Sequence, residues 1–585
     1  MNNSNKNPFE YEGANNLPED EIIDYYIEDF NYSRFIESTK NIFLIGERGS
    51  GKTMTLLYNS FKIKYKKSLR DGTKLSYDKI GIHIPCNTPL FHKKEYLLLN
   101  DEVKRIIMCE HILVLSILFA FIDTFVEVKE IEKSIDKDIV DEIYDDLEMI
   151  WNTSFTQKKS GLFKTIHKHI ERELITTQKI INTLNLDGFY ENALSFSSSI
   201  IPFINILKLI PKFKNSHFLI MIDDAHDMNE YQIKSLNSWI AYRDHSNFSF
   251  KVATAKVNRP IQITSTGGTI LEGHDFITVD MEKPFQNEET DFYKLAKMVI
   301  ERRLQNIGLA DISAEGFFPI NKAFEIELNK CKDKARIAAE AKYPEGPSSR
   351  ISEYIYKYHR AIFFRDRSPK ANNPVYSGFQ SLVDISTGVI RNLLDPCYWM
   401  YDKVLNSRKE NINIIDSKIQ NEIIKDRSER LWDNLKSGLD GVIQGCTQEQ
   451  SAQIQNLLQN LMQLFSKRLS LDISEPRAIV FSISKTERYK DEHKEIIELI
   501  NIARKAQYIY TRMGSSKQKS KQEIYYVPNR LLFPAIGLDP HGQYSRVSIP
   551  VIDLWNAAKF NKSLPLNFDE SDDSQFQQKM LFDEN

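Results

Sequence analysis

Ile42-Phe43-Leu44-Ile45-Gly46-Glu47-Arg48-Gly49-Ser50-Gly51-Lys52-Thr53 decides how this chain folds, because an apolar strand runs directly into GxxxxGKT. Small residues in such a turn let backbone N–H groups close around a β-phosphate. Lys52 then reaches the β and γ oxygens, and Thr53 offers a hydroxyl to Mg²⁺ at a helix N-terminus. Met54-Thr55-Leu56-Leu57 continues as a helix, so the motif stands in the strand–loop–helix context it needs. Gly46, Glu47, Arg48, Gly49, Ser50, Gly51, Lys52 and Thr53 are therefore the candidate ligands of a magnesium–nucleoside triphosphate.

A partner motif lies downstream. Leu219-Ile220-Met221-Ile222-Asp223-Asp224 is a buried strand ending in two carboxylates. Asp223 is placed to hold the water shell of a Mg²⁺ opposite Thr53, and Asp224 to polarise the attacking water. The strand Phe248 to Thr254 ends in Ala253-Thr254-Ala255-Lys256-Val257-Asn258-Arg259, which makes Thr254, and after it Asn258, candidates for sensing a γ-phosphate. Arg243 and Arg259 are candidate fingers onto a neighbouring subunit. Asp384-Ile385-Ser386-Thr387-Gly388-Val389-Ile390-Arg391 sets Arg391 just after a glycine at the start of an apolar helix. A guanidinium there could grip the γ-phosphate with two hydrogen bonds.

Strands are expected at 79–85, 217–222, 248–254 and 276–279, separated by helical patterns, which predicts a parallel α/β sheet covered on both faces. The first 30 residues are polar and Asn-rich and read as a disordered lead-in. A P-loop NTPase core follows over 31–285, interrupted by a helical insertion at about 88–210. A helical lid is expected over 286–405, a helical connector over 406–470, and an acidic tail over 563–585. In between, 471–562 reads as a winged-helix-like α+β domain, from its order of helix, strand, basic loop and strand.

Lys plus Arg number 77 and Asp plus Glu 80, a net charge of −3, so no global positive field argues for nucleic acid. The tail carries Asp569, Glu570, Asp572, Asp573, Asp583 and Glu584 against Lys579, which leaves the body slightly basic. The five cysteines show no CxxC or His-rich spacing, so neither disulfides nor zinc are indicated and a reducing, cytoplasmic setting is expected. The apolar run Ile112 to Ile122 is about half of the ~20 residues a spanning helix needs. It reads as a buried helix, with no membrane partner.

Local charge is another matter. Arg504, Lys505, Arg512, Lys517, Lys519, Lys521 and Arg530 are seven cations within 27 residues, opposed only by Glu523. On a winged helix these could face one phosphate surface, making duplex DNA a candidate partner.

GERGSGKT, LIMIDD and GVIRNLL in this order, followed by the C-terminal pattern, resemble AAA+ ATPases of the origin-recognition and initiator type. The bacterial ORC-like AAA ATPases are especially similar, through Tyr525 to Asp539 as well. The resemblance implies an ATPase using ATP and Mg²⁺, with Walker A at Gly46 to Thr53, Walker B at Asp223 and Asp224, and Lys52, Asp224 and the sensor 2 Arg391 as catalytic residues. One departure stands out: initiators usually follow the metal Asp with Glu, whereas Asp224-Ala225-His226 is closer to STAND signalling ATPases. Two functions follow. One is a nucleotide switch coupled to DNA or a partner, in which a homo-oligomer would complete the site. The other is a signalling or anti-phage defence ATPase acting on a protein effector encoded nearby.

Overall fold

In the computed structural model the described residues are 7–568, apart from 11–12, 29–31, 87, 100, 156–160, 184–192, 243–245, 257–260, 283–288, 345, 368–374, 408–411, 472–475, 485–486, 516–521, 543–545 and 567. The acidic residues of the tail lie outside them. The chain divides into two compact units: residues 13–281, and residues 1–12 together with 282–585.

The first unit is built on five parallel strands. They are β1 (Ile42–Gly46), β2 (Lys79–Pro85), β3 (His217–Asp223), β4 (Phe248–Ala255) and β5 (Ile277–Asp280), in the order β2-β3-β4-β1-β5. β3 is buried along its whole length, as expected of a strand covered on both faces. Its alternate side chains separate cleanly. Phe218, Ile220 and Ile222 join the large core on one face, while Leu219 and Met221 pack with Ile42, Leu44 and Leu56 on the other. Helix α1 (Glu19–Tyr25) precedes the sheet, and α2 (Lys52–Tyr58) and α3 (Phe61–Asp71) follow β1.

Between β2 and β3 the chain is helical, with α4 (Glu102–Glu127), α5 (Lys137–Ile150) and α6 (Leu162–Thr183) as its long members. Asp101 caps α4 by accepting from the N–H groups of Val103 and Lys104. By length and composition α4 could cross a membrane, but Leu113, Val114, Ile117, Leu118, Phe121 and Ile122 are all buried in the core over the sheet. After β3, α7 (Glu230–Ala241) opens on a reciprocal cap between Asn229 and Gln232.

The second unit begins with residues that the sequence assigned to a disordered lead-in. Phe9 is fully buried, with its ring centroid 6.3, 6.1 and 6.1 Å from those of Phe317, Phe318 and Tyr401. Asn7 Nδ2 donates to Tyr398 O at 3.0 Å, and Arg303 Nη1 to Pro8 O at 2.6 Å. The Phe9 ring and these two hydrogen bonds tie residues 7–9 to this unit. Within the first unit, α1 likewise falls inside the supposed lead-in.

Helices α8 (Glu289–Asn306), α9 (Lys322–Lys342), α10 (Ser348–Asp366), α11 (Phe379–Ile385), α12 (Ile390–Ser407), α13 (Ser417–Lys436) and α14 (Gln448–Ser470) follow. A four-stranded sheet completes the unit. Its strands are β6 (Val480–Ser484), β7 (Ile509–Ser515), β8 (Gln522–Pro528) and β9 (Arg546–Pro550), in the order β7-β8-β6-β9, with α15 (Lys490–Lys505) and α16 (Val551–Phe560). The hairpin β7–β8 is antiparallel, and β8 pairs antiparallel with β6. β9, parallel to β6, extends the sheet beyond what the sequence pattern suggested, and α16 follows it directly.

Candidate functional site

Register brings the motif residues to one edge of the sheet. Ile222 stands beside Val252, and Thr254 beside Ile45, so the C-terminal ends of β3, β4 and β1 lie level. Ligands of parallel α/β sheets bind at this edge. Gly46, Asp223 and Thr254 all sit on it.

The loop after β1 is shaped by its glycines. Gly49 and Gly51 have φ of +87° and +96°, a region in which side chains are strained. A methyl group on Gly46 would come within 2.5 Å of Ser50 Oγ. Lys52 is almost fully buried at the start of α2, and its Nζ donates to the carbonyls of Gly46 at 2.8 Å and Glu47 at 2.9 Å. Ser50 Oγ is buried without a hydrogen-bond partner. A tight loop, an ammonium at its centre and an unsatisfied hydroxyl suit a bound polyphosphate.

Asp223 is buried at the end of β3. Its Oδ1 accepts from the N–H of Asp224 at 3.0 Å, and its Oδ2 lies 3.1 Å from His83 Nε2. A carboxylate only accepts, so the imidazole donates from Nε2. The sequence pattern did not single it out, and the available signal was one imidazole in the apolar run Ile80-Gly81-Ile82-His83-Ile84. The donor set of one carboxylate and the Thr53 hydroxyl is all oxygen. It fits Mg²⁺, which keeps much of its water, and no group of three His, Cys, Asp or Glu side chains that could cage a metal occurs among the described residues.

Asp224 occupies a left-handed conformation, φ +54°. Burial, with Asp223 and Asp227 adding to it, pushes its carboxyl up to about 6, against the opposing pull of Lys52 and Arg48. Beyond it the chain bends back to the phosphate loop. Arg48 Nη2 lies 3.2 Å from His226 Nε2 and 4.0 Å from Asp227 Oδ1, and burial lowers the His226 pKa. Lys256 and Asp280, at the ends of β4 and β5, pair at 2.8 Å on either side of β1.

The remaining candidates divide. Arg243, Asn258 and Arg259, and the cations Lys517, Lys519 and Lys521, lie outside the described residues. Arg391 belongs to the second unit, where it is half-buried near the start of α12. Lys505 is exposed and Arg504 half-buried at the end of α15. Arg512 donates to Thr387 O at 2.9 Å. Arg530 is only 3 % exposed and donates from Nη2 to Gly542 O at 2.8 Å, so its charge is spent inside the fold rather than offered to a phosphate surface.

A family profile described as ORC-CDC6-like matches residues 7–549 of the chain. Among solved structures, that of Cdc6p from Pyrobaculum aerophilum aligns over 94 % of this chain and 97 % of its own, at 11 % identity and a TM-score of 0.27. No curated protein matches.

Proposed function

The chain belongs to the ORC-CDC6-like family of AAA+ ATPases, and from that premise we propose that it is a slow ATP-hydrolysing switch that couples nucleotide state to DNA or partner binding. The observation that carries this reading is the shared sheet edge. Lys52 is held at the centre of the phosphate loop, Asp223 is fixed by His83 beside it, and Asp224 carries a raised proton affinity.

Lys52 binds and neutralises β and γ oxygens, and the backbone N–H groups of Gly49 to Thr53 orient them. Thr53 and Asp223 would hold a Mg²⁺, which when bound supplies charge neutralisation across the phosphates. Asp224 takes the proton of the attacking water at its carboxylate. Thr254, half-buried at the end of β4, orients the water or the terminal phosphate. Arg391 is the residue we assign, by the resemblance alone, to the sensor 2 role. The asparagine Asn258 and the finger residues Arg243 and Arg259 keep the roles given them above.

Duplex DNA is the partner we place first, read by the β7–β8 hairpin and the end of α15. Arg504 and Lys505 supply charge there, and Lys517, Lys519 and Lys521 fall between the two strands in sequence. A second reading, a signalling or defence ATPase that works on a protein effector, draws on two findings. Arg530 and Arg512 spend hydrogen bonds on the interior, which thins the basic surface, and Asp224 stands where initiators present a Glu, with His226 two residues on engaging Arg48 of the loop.

Fluorescence anisotropy of labelled duplex DNA with ATP present, repeated over a salt series, separates the two. Each phosphate contact should steepen the logarithmic salt dependence by ~0.9. Binding without salt dependence, or no binding, removes the DNA reading in favour of the effector.

A further inference from the structure

Helix α12 carries Arg391 and starts from a strained turn. Thr387 has φ +58° and Gly388 φ +79°. For a β-branched residue such as Thr387 the left-handed region is costly and persists only where neighbours enforce it.

The neighbours come from β7 and from the short turn that follows β8 in the same unit. Arg512, on β7, donates from Nη2 to Thr387 O at 2.9 Å. Arg530 donates its backbone N–H to Thr387 Oγ1 at 3.0 Å. Asn392, one residue beyond Arg391, donates from Nδ2 to the Tyr510 hydroxyl at 2.9 Å and to Ser386 O at 3.2 Å. A methyl group on Gly388 would approach Arg512 Nη2 to 2.8 Å, so the guanidinium lies directly against the turn.

We infer that Arg512 and Tyr510 are positioning residues for Arg391: β7 holds the 386–389 turn in its left-handed state and thereby sets how the Arg391 helix begins. The hairpin that the functional reading assigns to a partner is then wired to the arginine that it assigns to the nucleotide. Arg512 acts through its hydrogen bond to a backbone carbonyl, not as a phosphate contact. The inference rests on the proposed role of Arg391 in nucleotide binding.

The test is a double-mutant cycle on the full chain, read as affinity for a fluorescent ATP analogue. Tyr510→Phe removes one hydroxyl and no charge, so it is the conservative arm beside Arg512→Ala. Each is expected to weaken nucleotide binding by about 3- to 10-fold, with the circular dichroism spectrum unchanged, and to add nothing in an Arg391→Ala background. Arg512→Lys, which keeps a donor within reach of Thr387 O, should restore most of the loss. Additive losses in the double variants, or wild-type affinity in both Tyr510→Phe and Arg512→Ala, overturn the linkage while leaving the nucleotide site standing. Wild-type affinity in Arg391→Ala itself overturns the linkage together with the role of Arg391.

Discussion

His83 Nε2 donates to Asp223 Oδ2 at 3.1 Å, across the neighbouring strands β2 and β3. Asp223 has its other oxygen on the N–H of Asp224, so the carboxylate is held at both ends before any ligand arrives. Partners that orient a metal-binding group are typically worth ~10–100-fold in metal affinity or activity. His83→Ala should therefore raise the Mg²⁺ concentration for half-maximal ATPase activity ~10-fold, with metal-free nucleotide binding unchanged. An unaltered Mg²⁺ titration would reduce the imidazole to packing.

Asp224 is the candidate base. Asp224→Asn preserves shape but exchanges one acceptor oxygen for an amide donor and cannot take a proton, so nucleotide should still bind while turnover falls at least ~100-fold. Single-turnover hydrolysis measures this directly, and an unchanged rate would reject the assignment.

Phe9 tests the anchor at the N-terminus. Truncating a fully buried Phe costs ~3–5 kcal/mol through lost burial and the cavity left behind. Phe9→Ala should shift the denaturant midpoint of the second unit accordingly. A midpoint shared with wild type would mean that the first residues do not hold to Phe317, Phe318 and Tyr401.

His111 supplies a pH dependence. Its Nδ1 accepts from the N–H of Leu194 at 3.0 Å and its Nε2 faces Thr177 Oγ1 at 3.0 Å, an arrangement that needs the neutral ring. Burial lowers its pKa from 6.5 to about 4. The unfolded chain binds the proton more tightly, so this stability is fully present above pH ~6.5 and is lost as pH falls through ~4, to a total of about 3 kcal/mol. His111→Gln should flatten that part of the acid arm in urea unfolding followed across pH. An identical slope would contradict it.

The strand and loop from Ile42 to Thr53 were legible because an apolar run, glycines at fixed offsets and a following helix all state the same structure. β3 was legible for the same reason: it is buried on both faces and reads as continuous Leu-Ile-Met-Ile. Pairings distant in sequence were not. β9 alternates exposed Arg546 and Ser548 with buried Val547 and Ile549, a short pattern whose partner β6 lies far upstream. Arg530 was read by charge alone, although Leu531, Leu532 and Phe533 beside it are buried and the arginine goes inside with them. His83 was passed over because its partner sits on another strand, and Phe9 because one ring does not alter the composition of a polar segment.

The account stands on Lys52 organising a single Mg-ATP site, and isothermal titration of Mg-ATP into the wild-type protein and into Lys52→Ala tests it most directly. Saturable binding with one site per chain in the wild type, abolished or weakened at least ~100-fold in Lys52→Ala, is the expected result. Equal affinity in the two proteins, or no binding to the wild type, would contradict it.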